Sequence, residues 1–232
     1  MIKIPGLLPK SYAMKSTSTA NIAEKVARIL VDVGCVIFRP KQPFKFDSGI
    51  LSPVYVDNRL LISVPRQRKL VIKYLISKIK TIGSFDVIAG TATAGIPHAA
   101  WIADNLNLPM VYVRSGPKNH GKGNQVEGRI IRGQKVLVVE DMVSTALSSK
   151  RVVEALRRLG AKVTDELAIY THNLKEADKN FKKMKIKFHV LTDLNNVSQE
   201  AAKRGFLKKG QISIIKNWAK DPKGWGKKMG FE

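Results

Sequence analysis

The sequence is poor in cysteine and has no long hydrophobic run. Cys35 is the single cysteine among 232 residues. An internal disulfide is therefore excluded, and a reducing, intracellular environment is the simplest interpretation. No stretch approaches the roughly 20 apolar residues of a membrane span, and Pro5 and Pro9 interrupt the N-terminal segment. We therefore expect a soluble, cytoplasmic protein that does not associate with membranes.

Acidic residues are also scarce. The 41 Lys and Arg against 18 Asp and Glu give a formal net charge of +23. This excess has three explanations: binding of nucleic acid, attraction of a small and highly anionic substrate, or a general preference for lysine. The lysines are dispersed over most segments, which favours a solvated surface. Nucleic acid is therefore not the expected partner.

The sequence is rich in short apolar runs that alternate with helical segments. Such a pattern implies right-handed crossovers and an α/β fold with a mainly parallel central sheet and flanking helices. The predicted strands are 86–90, 109–113, 135–140, 162–171 and 187–192, and the predicted helices are 96–107, 148–159 and 175–184.

A smaller unit precedes this alternation. Asn21 is a candidate N-cap for a helix over 21–33, which Gly34 ends. Residues 44–57 predict a strand, a turn and a strand, and a second helix is expected from Pro65 to about Lys80.

We treat the whole chain as a single domain in three parts. After the last predicted strand, residues 194–232 predict one or two short helices and an irregular end that contains three glycines. The parts are a small N-terminal hood (1–60), a core (61–220) and an irregular, basic tail (221–232).

Residues 114–134 interrupt the alternation between two core strands. The segment is polar and glycine-rich, so it predicts a long excursion that acts as a flexible flap. Arg114, Lys118, His120 and Lys122 place up to four cations within nine residues. A basic hairpin tip is the ordinary alternative, whereas beside a phosphate site such a flap is suited to close over an anion.

The stretch VLVVEDMVSTALS (136–148) carries the strongest chemical pattern. Glu140 and Asp141 are expected at the carboxyl end of a buried strand, where parallel sheets bind ligands. The hydroxyls of Ser144, Thr145 and Ser148, together with free N–H groups at the next helix start, form an anion cradle. One turn therefore offers acceptors for sugar hydroxyls and donors for a phosphate. It is neither a Walker A loop nor a GxGxxG turn, and a simple capped helix would not explain two acids plus three hydroxyls.

A second turn, GTATAG (90–95), follows another predicted strand. Its residues are small enough for the backbone to approach a ligand closely. We expect a diphosphate to lie on Thr91, Ala92 and Thr93 and the neighbouring amides, and a tight core turn is the alternative.

Four segments together resemble one family. VLVVEDMVSTALS resembles the phosphoribosyl-diphosphate (PRPP) signature of type I phosphoribosyltransferases. The family narrows to orotate phosphoribosyltransferase because three more segments are similar to its substrate-side segment, its diphosphate loop and its mobile loop. They are FDSGILSPVYVDNR (46–59), GTATAGIPHAA (90–100) and VRSGPKNHGKGNQVEG (113–128). The match runs from about residue 20 to 220.

The resemblance implies a pentosyl transfer in pyrimidine biosynthesis, from PRPP to orotate, that gives orotidine 5′-monophosphate and diphosphate. It implies a substrate-side hood, a PRPP-binding core and a homodimer with shared active sites, in which the flap reaches the neighbouring subunit. Mg²⁺ is expected as cofactor, held mainly through PRPP and waters rather than directly by protein ligands.

The same resemblance assigns roles to individual residues. The catalytic residues are Lys118, His120 and Asp141. The orotate-binding residues are Ser144, Ser48 and Gly49. The PRPP-binding residues are Arg114, Lys118, His120, Glu140, Asp141, Met142, Val143, Ser144, Thr145, Ala146, Leu147 and Ser148.

The chain departs from the family pattern at several positions. Ala146-Leu147 replaces a pair that ends in glycine, and Leu147 does not easily adopt a positive φ. Cations that some members carry near orotate or diphosphate are replaced by Asp47, Ala94, Ser115 and His172. Two alternatives therefore stay open: a phosphoribosyltransferase for another base such as uracil, and a non-catalytic regulator that binds nucleotides or RNA.

Overall fold

A computed structural model describes residues 21–46, 49–116 and 124–231 of the chain. The helices of these ranges are α1 (Ile22–Val33), α2 (Pro65–Ile82), α3 (Gly95–Leu106), α4 (Leu147–Arg158), α5 (Lys175–Met184), α6 (Leu194–Lys203), α7 (Lys209–Lys220) and α8 (Trp225–Lys228), with a 3-10 helix at Asn58–Ser63. The strands are β1 (Val36–Phe38), β2 (Phe44–Lys45), β3 (Leu51–Ser52), β4 (Val54–Val56), β5 (Val87–Thr91), β6 (Met110–Val113), β7 (Val126–Glu127), β8 (Lys135–Val143), β9 (Lys162–Thr171) and β10 (Lys187–Asp193). None of the helices in the described ranges is long and apolar enough to cross a bilayer.

The central sheet has six strands in the order β10-β9-β8-β5-β6-β7. The first five run parallel, and β7 pairs antiparallel with β6 at one edge. The predicted α/β fold with a mainly parallel sheet and flanking helices is confirmed. β9 and α5 have the bounds that the sequence predicts.

Both faces of the sheet are covered, and β8 shows how its side chains divide. Leu137 and Val139 lie in a core cluster with residues of α1, α2 and α3. Val136 and Val138 lie in a second cluster with residues of α4 and α5. Because both faces are buried, the strand is apolar from Val136 to Val139 instead of alternating with polar residues.

The hood is built from two short antiparallel pairs outside the main sheet, β1 with β4 and β2 with β3. Ahead of these strands in the chain, α1 begins as predicted, because the Asn21 side chain accepts a hydrogen bond from the Glu24 backbone N–H. The helix ends at Gly34, whose φ of 80° favours glycine. The Trp218 Nε1 of α7 donates to the Leu51 carbonyl oxygen at 2.9 Å and so ties the hood to the far end of the chain.

Two elements differ from the sequence expectation. β8 runs to Val143 instead of ending at residue 140, because it stays paired with β9 up to Thr171, so Asp141 lies within the strand rather than after it. The segment expected to be an irregular tail contains α8, and Trp225 is buried in the core cluster of α1, α2 and α3. The glycines on both sides of Trp225 indicate an irregular segment, so the sequence does not predict α8.

Candidate active site

The strand order reverses between β5 and β8. From β5 the chain moves outward to β6, and then returns to the other side of β5 to form β8. Open parallel sheets bind ligands at the carboxyl ends of the strands at such a switch point. The carboxyl end of β5 leads into the turn that contains Thr91, and the end of β8 contains Glu140 and Asp141. The structure therefore brings two of the predicted motifs to one edge of the sheet.

Two adjacent carboxyl groups lie buried at this edge, with 5% of Glu140 and 8% of Asp141 exposed. Burial raises the pKa of Glu140 well above its usual range, and the Asp141 charge raises it further. Burial also raises the pKa of Asp141. Glu140 Oε1 accepts a hydrogen bond from the Asp141 backbone N–H at 3.0 Å. Buried carboxylates this close together are costly without partners, so the pair favours a ligand that brings hydroxyl donors.

The turn after β8, where the sequence predicts an anion cradle, leads into a helix without a side-chain cap. α4 begins at Leu147 and has no side-chain cap, so the N–H groups of its first turn stay available. Ala146 takes the left-handed conformation with φ 61°. The concern that Leu147 would need a positive φ is wrong, because the chain turns one residue earlier. The Asn180 amide of α5 donates to the Thr145 carbonyl at 2.8 Å and fixes the cradle from outside.

A third acidic residue holds the start of α4 against the sheet through a hydrogen bond. Glu166 in β9 is fully buried, and its Oε1 accepts a hydrogen bond from Ser149 Oγ of α4 at 2.7 Å. Burial raises the pKa of Glu166 to about 7, against the opposing effect of the Ser149 hydrogen bond. The start of α4 is therefore bonded to the sheet through a buried carboxyl.

The turn after β5 is held by close packing. A Cβ on Gly95 would lie 2.6 Å from the Val139 carbonyl oxygen, so only glycine lets the start of α3 contact β8. Thr91 is buried, and its Oγ1 has no hydrogen-bond partner within the described ranges. The peptide bond between Ala92 and Thr93 is cis. This turn lies directly against the acidic strand, since a Cβ on Gly95 would also approach Glu140.

The base of the predicted flap is paired. The Arg114 backbone N–H donates to the Gln125 carbonyl at 2.9 Å, and the Gln125 side chain donates to the Arg114 carbonyl at 3.1 Å. Arg114 Nη1 lies 3.8 Å from Glu127 Oε1 in β7. The catalytic candidates Lys118 and His120 lie outside the described residues.

The residues predicted to bind orotate lie in two different segments of the chain. Gly49 takes φ 81° in the turn between β2 and β3, Ser144 follows β8, and Ser48 lies outside the described residues. His172, at the end of β9, is buried against the rings of Tyr170 and Trp218. Burial lowers the pKa of His172 to about 4, so the imidazole is neutral at pH 7 and carries no charge to the site.

Sequence reasoning assigned no role to Asn58 or Glu166, although both are fully buried. The Asn58 amide donates to the Asp141 carbonyl oxygen at 2.9 Å. The available signals were a polar residue after the hood strand for Asn58 and, for Glu166, an acid within an apolar strand. In the part of the chain that the structure describes, no three His, Cys, Asp or Glu side chains converge as metal ligands.

Comparisons with known proteins agree with this geometry. Residues 63–202 match the family model for a phosphoribosyl transferase domain. The chain is 45% identical over 208 residues to an orotate phosphoribosyltransferase of Enterococcus faecalis, covering 89% of this chain and 99% of the relative. A solved orotate phosphoribosyltransferase of Aeropyrum pernix superposes with a TM-score of 0.68 at 28% identity, covering 78% of this chain and 99% of that one. A UMP synthase of Leishmania donovani gives a TM-score of 0.73 at 27% identity, covering 85% and 42% respectively.

Proposed function

The chain belongs to the orotate phosphoribosyltransferase family, and on this premise we propose that it transfers the 5-phosphoribosyl group of PRPP to orotate. The products are orotidine 5′-monophosphate and diphosphate. The orotate N1 forms the new bond to the ribose C1 while the bond from C1 to the diphosphate oxygen breaks. The enzyme thus performs a step of pyrimidine biosynthesis.

The observation that carries this proposal is the buried pair Glu140 and Asp141 beside the uncapped start of α4. The carboxyl groups accept hydrogen bonds from two ribose hydroxyls. The N–H groups of the first turn of α4 and the hydroxyls of Ser144, Thr145 and Ser148 bind the 5-phosphate. The sugar is thereby oriented with C1 toward the β5 turn.

The β5 turn and the flap receive the leaving group. Thr91, Ala92 and Thr93 bind the diphosphate through hydroxyls and amides, and the unpartnered Thr91 hydroxyl supports this role. Arg114, Lys118 and His120 neutralise the charge that develops as the diphosphate leaves. Closure of the flap excludes water, which strengthens these interactions.

Mg²⁺ fits this site as a partner of the substrate. The local oxygen donors are Glu140 and Asp141, and hard oxygen ligands are those that Mg²⁺ prefers. The ion would be held mainly through PRPP oxygens and waters rather than directly by protein ligands. It supplies charge neutralisation on the diphosphate, while orientation of the ribose stays with the two acids.

The decisive test is orotate depletion followed in the ultraviolet with PRPP and Mg²⁺, beside uracil, hypoxanthine and adenine. We expect consumption of orotate alone. Consumption of uracil would identify another base, and steep salt-dependent RNA binding without turnover would identify a regulator.

We further propose a cytoplasmic homodimer in which each flap covers the neighbouring site. Lys118→Ala damages the flap, and Asp141→Asn damages the ribose site. In a mixed dimer one site receives both defects and the other receives neither. Random exchange makes about half of the dimers mixed, so mixing the two inactive variants should restore roughly a quarter of wild-type activity. Recovery after subunit exchange, verified by sedimentation, is the measurement. Exchange without recovery would mean that each flap closes over its own subunit.

A further inference from the structure

Asn58 makes a buried contact between the hood and the acidic strand. It lies at the start of the 3-10 helix that follows β4, and none of its surface is exposed. Its Nδ2 donates to the Asp141 carbonyl oxygen at 2.9 Å. Its own Oδ1 has no hydrogen-bond partner among the described residues. Within the described ranges, the hydrogen bond to Asp141 is therefore the polar contact that this buried side chain makes.

The position of this bond on β8 explains why the strand needs it. β5 pairs with β8 only as far as Gly90 opposite Val139. Beyond that point β5 turns into α3, so one edge of β8 loses its neighbouring strand. Asp141 lies in this unpaired stretch, and a buried carbonyl without a donor is unfavourable. Asn58 supplies the donor from outside the sheet.

The same peptide unit connects the bond to the acid. The Asp141 carbonyl and the Met142 N–H belong to one planar group, so fixing the carbonyl also fixes the direction of the N–H. Burial raises the pKa of the Asp141 carboxyl, whereas hydrogen bonding with the Glu140 side chain and then with the Met142 backbone opposes that rise. On its other side, the Asp141 N–H is bonded to Glu140. Asp141 is thus held through both of its peptide groups.

We propose that Asn58 is a positioning residue for the ribose: it holds the Asp141–Met142 peptide so that the Asp141 carboxylate faces the PRPP hydroxyls. This inference rests on the proposed function, because it assigns the ribose to Asp141. Asn58 itself touches no substrate. It couples the folding of the hood to the geometry of the acidic strand.

The test compares two variants with a matched control. Asn58→Leu has a similar size and no donor, and Asn58→Asp has the same shape with a carboxylate in place of the amide. The control is Ser52→Ala: Ser52 is also fully buried in the hood, but within the described ranges its Oγ bonds the Val54 backbone and not β8. PRPP affinity is measured by calorimetry with Mg²⁺, KM for each substrate by ultraviolet assay, and Tm by thermal unfolding.

We expect Asn58→Leu to weaken PRPP binding by about 10-fold, because the Asp141–Met142 peptide is no longer held in place, and to lower Tm, because a buried acceptor is left unsatisfied. KM for orotate should change by less than about twofold. Asn58→Asp should weaken PRPP binding at least as much, because it places a second negative charge near Asp141. Ser52→Ala should lower Tm without changing PRPP affinity.

Two results would overturn the inference. PRPP affinity in both Asn58 variants could equal that of Ser52→Ala, or both KM values could rise together as the hood loosens. If Asn58→Leu fails to fold, Asn58→Ala, which removes the same donor without adding a charge, takes its place in the comparison. A wild-type protein that binds PRPP without consuming orotate would contradict the proposed function, while the PRPP affinities would still test Asn58.

Discussion

The two turns at the switch point carry adjacent parts of one site but are held by different forces. The turn after β5 is fixed by close packing, since Gly95 lets α3 contact the Val139 carbonyl. The turn after β8 is fixed by polar bonds: Ser149 to Glu166, and Asn180 to the Thr145 carbonyl. A steric constraint tolerates no added atom, whereas a polar one responds to charge and pH.

This difference predicts how each turn fails. Added volume should damage the β5 turn, whereas lost charge or a changed protonation state should damage the β8 side. The predictions below test that contrast, from the largest expected effect to the smallest.

Asp141→Asn tests the charge on the β8 side. Loss of a charge-assisted acceptor for a ribose hydroxyl should cost about 1.5–3 kcal/mol, so kcat/KM for PRPP should fall roughly 10- to 150-fold while the fold is kept. The measurement is steady-state kinetics with circular dichroism. Asp165→Asn is the control, because Asp165 is a buried acid of β9 that bonds His189 instead. Unchanged kcat/KM in Asp141→Asn would remove this residue from the site.

Gly95→Ala tests the steric constraint of the β5 turn. The new Cβ would lie 2.6 Å from backbone, so α3 must move away from β8. We expect the free energy of unfolding to fall by about 2 kcal/mol, with reduced activity. Denaturant titration checks this. Gly210→Ala is the control: it lies in α7 with open space around it, and alanine there should be neutral or slightly stabilising.

Glu166→Gln tests the protonation state of the buried Glu166 carboxyl, which Ser149 contacts at the start of α4. The folded pKa of about 7 lies above the ordinary 4.5, so the folded state favours the protonated carboxyl. This contribution is fully present below pH 4.5 and is lost as the pH rises through 7. Between pH 5 and 7, the loss of this contribution should lower the wild-type free energy of unfolding by about 2 kcal/mol. The variant should show a smaller decline over this window. An identical decline in both proteins would mean that Glu166 keeps an ordinary pKa.

Ala146→Gly should have the smallest effect and the opposite sign to Gly95→Ala. Ala146 holds a φ of 61°, which glycine adopts without strain. We expect the free energy of unfolding of the variant to exceed that of the wild type by no more than about 1 kcal/mol. Thermal unfolding measures the difference. A strong destabilisation would show that packing, rather than polar bonds, dominates the β8 turn as well.

The sequence predicted the features that depend on neighbours along the chain. The cap at Asn21, the bounds of β9 and the acidic pair before a helix start all follow from local spacing. It did not predict features that depend on distant partners. β8 extends to Val143 because β9 lies beside it, and the roles of Asn58 and Glu166 appear only once a second element is placed against them.

The Trp218–Leu51 bond has a consequence for synthesis on the ribosome. The hood is made early, but its anchor is made 167 residues later. α1 likewise packs on α6 and β10, which follow it by more than 150 residues. Contacts between such distant segments close slowly. The nascent chain therefore carries α1 and the hood without these long-range partners until α7 has emerged, and chaperone demand should be highest in that interval.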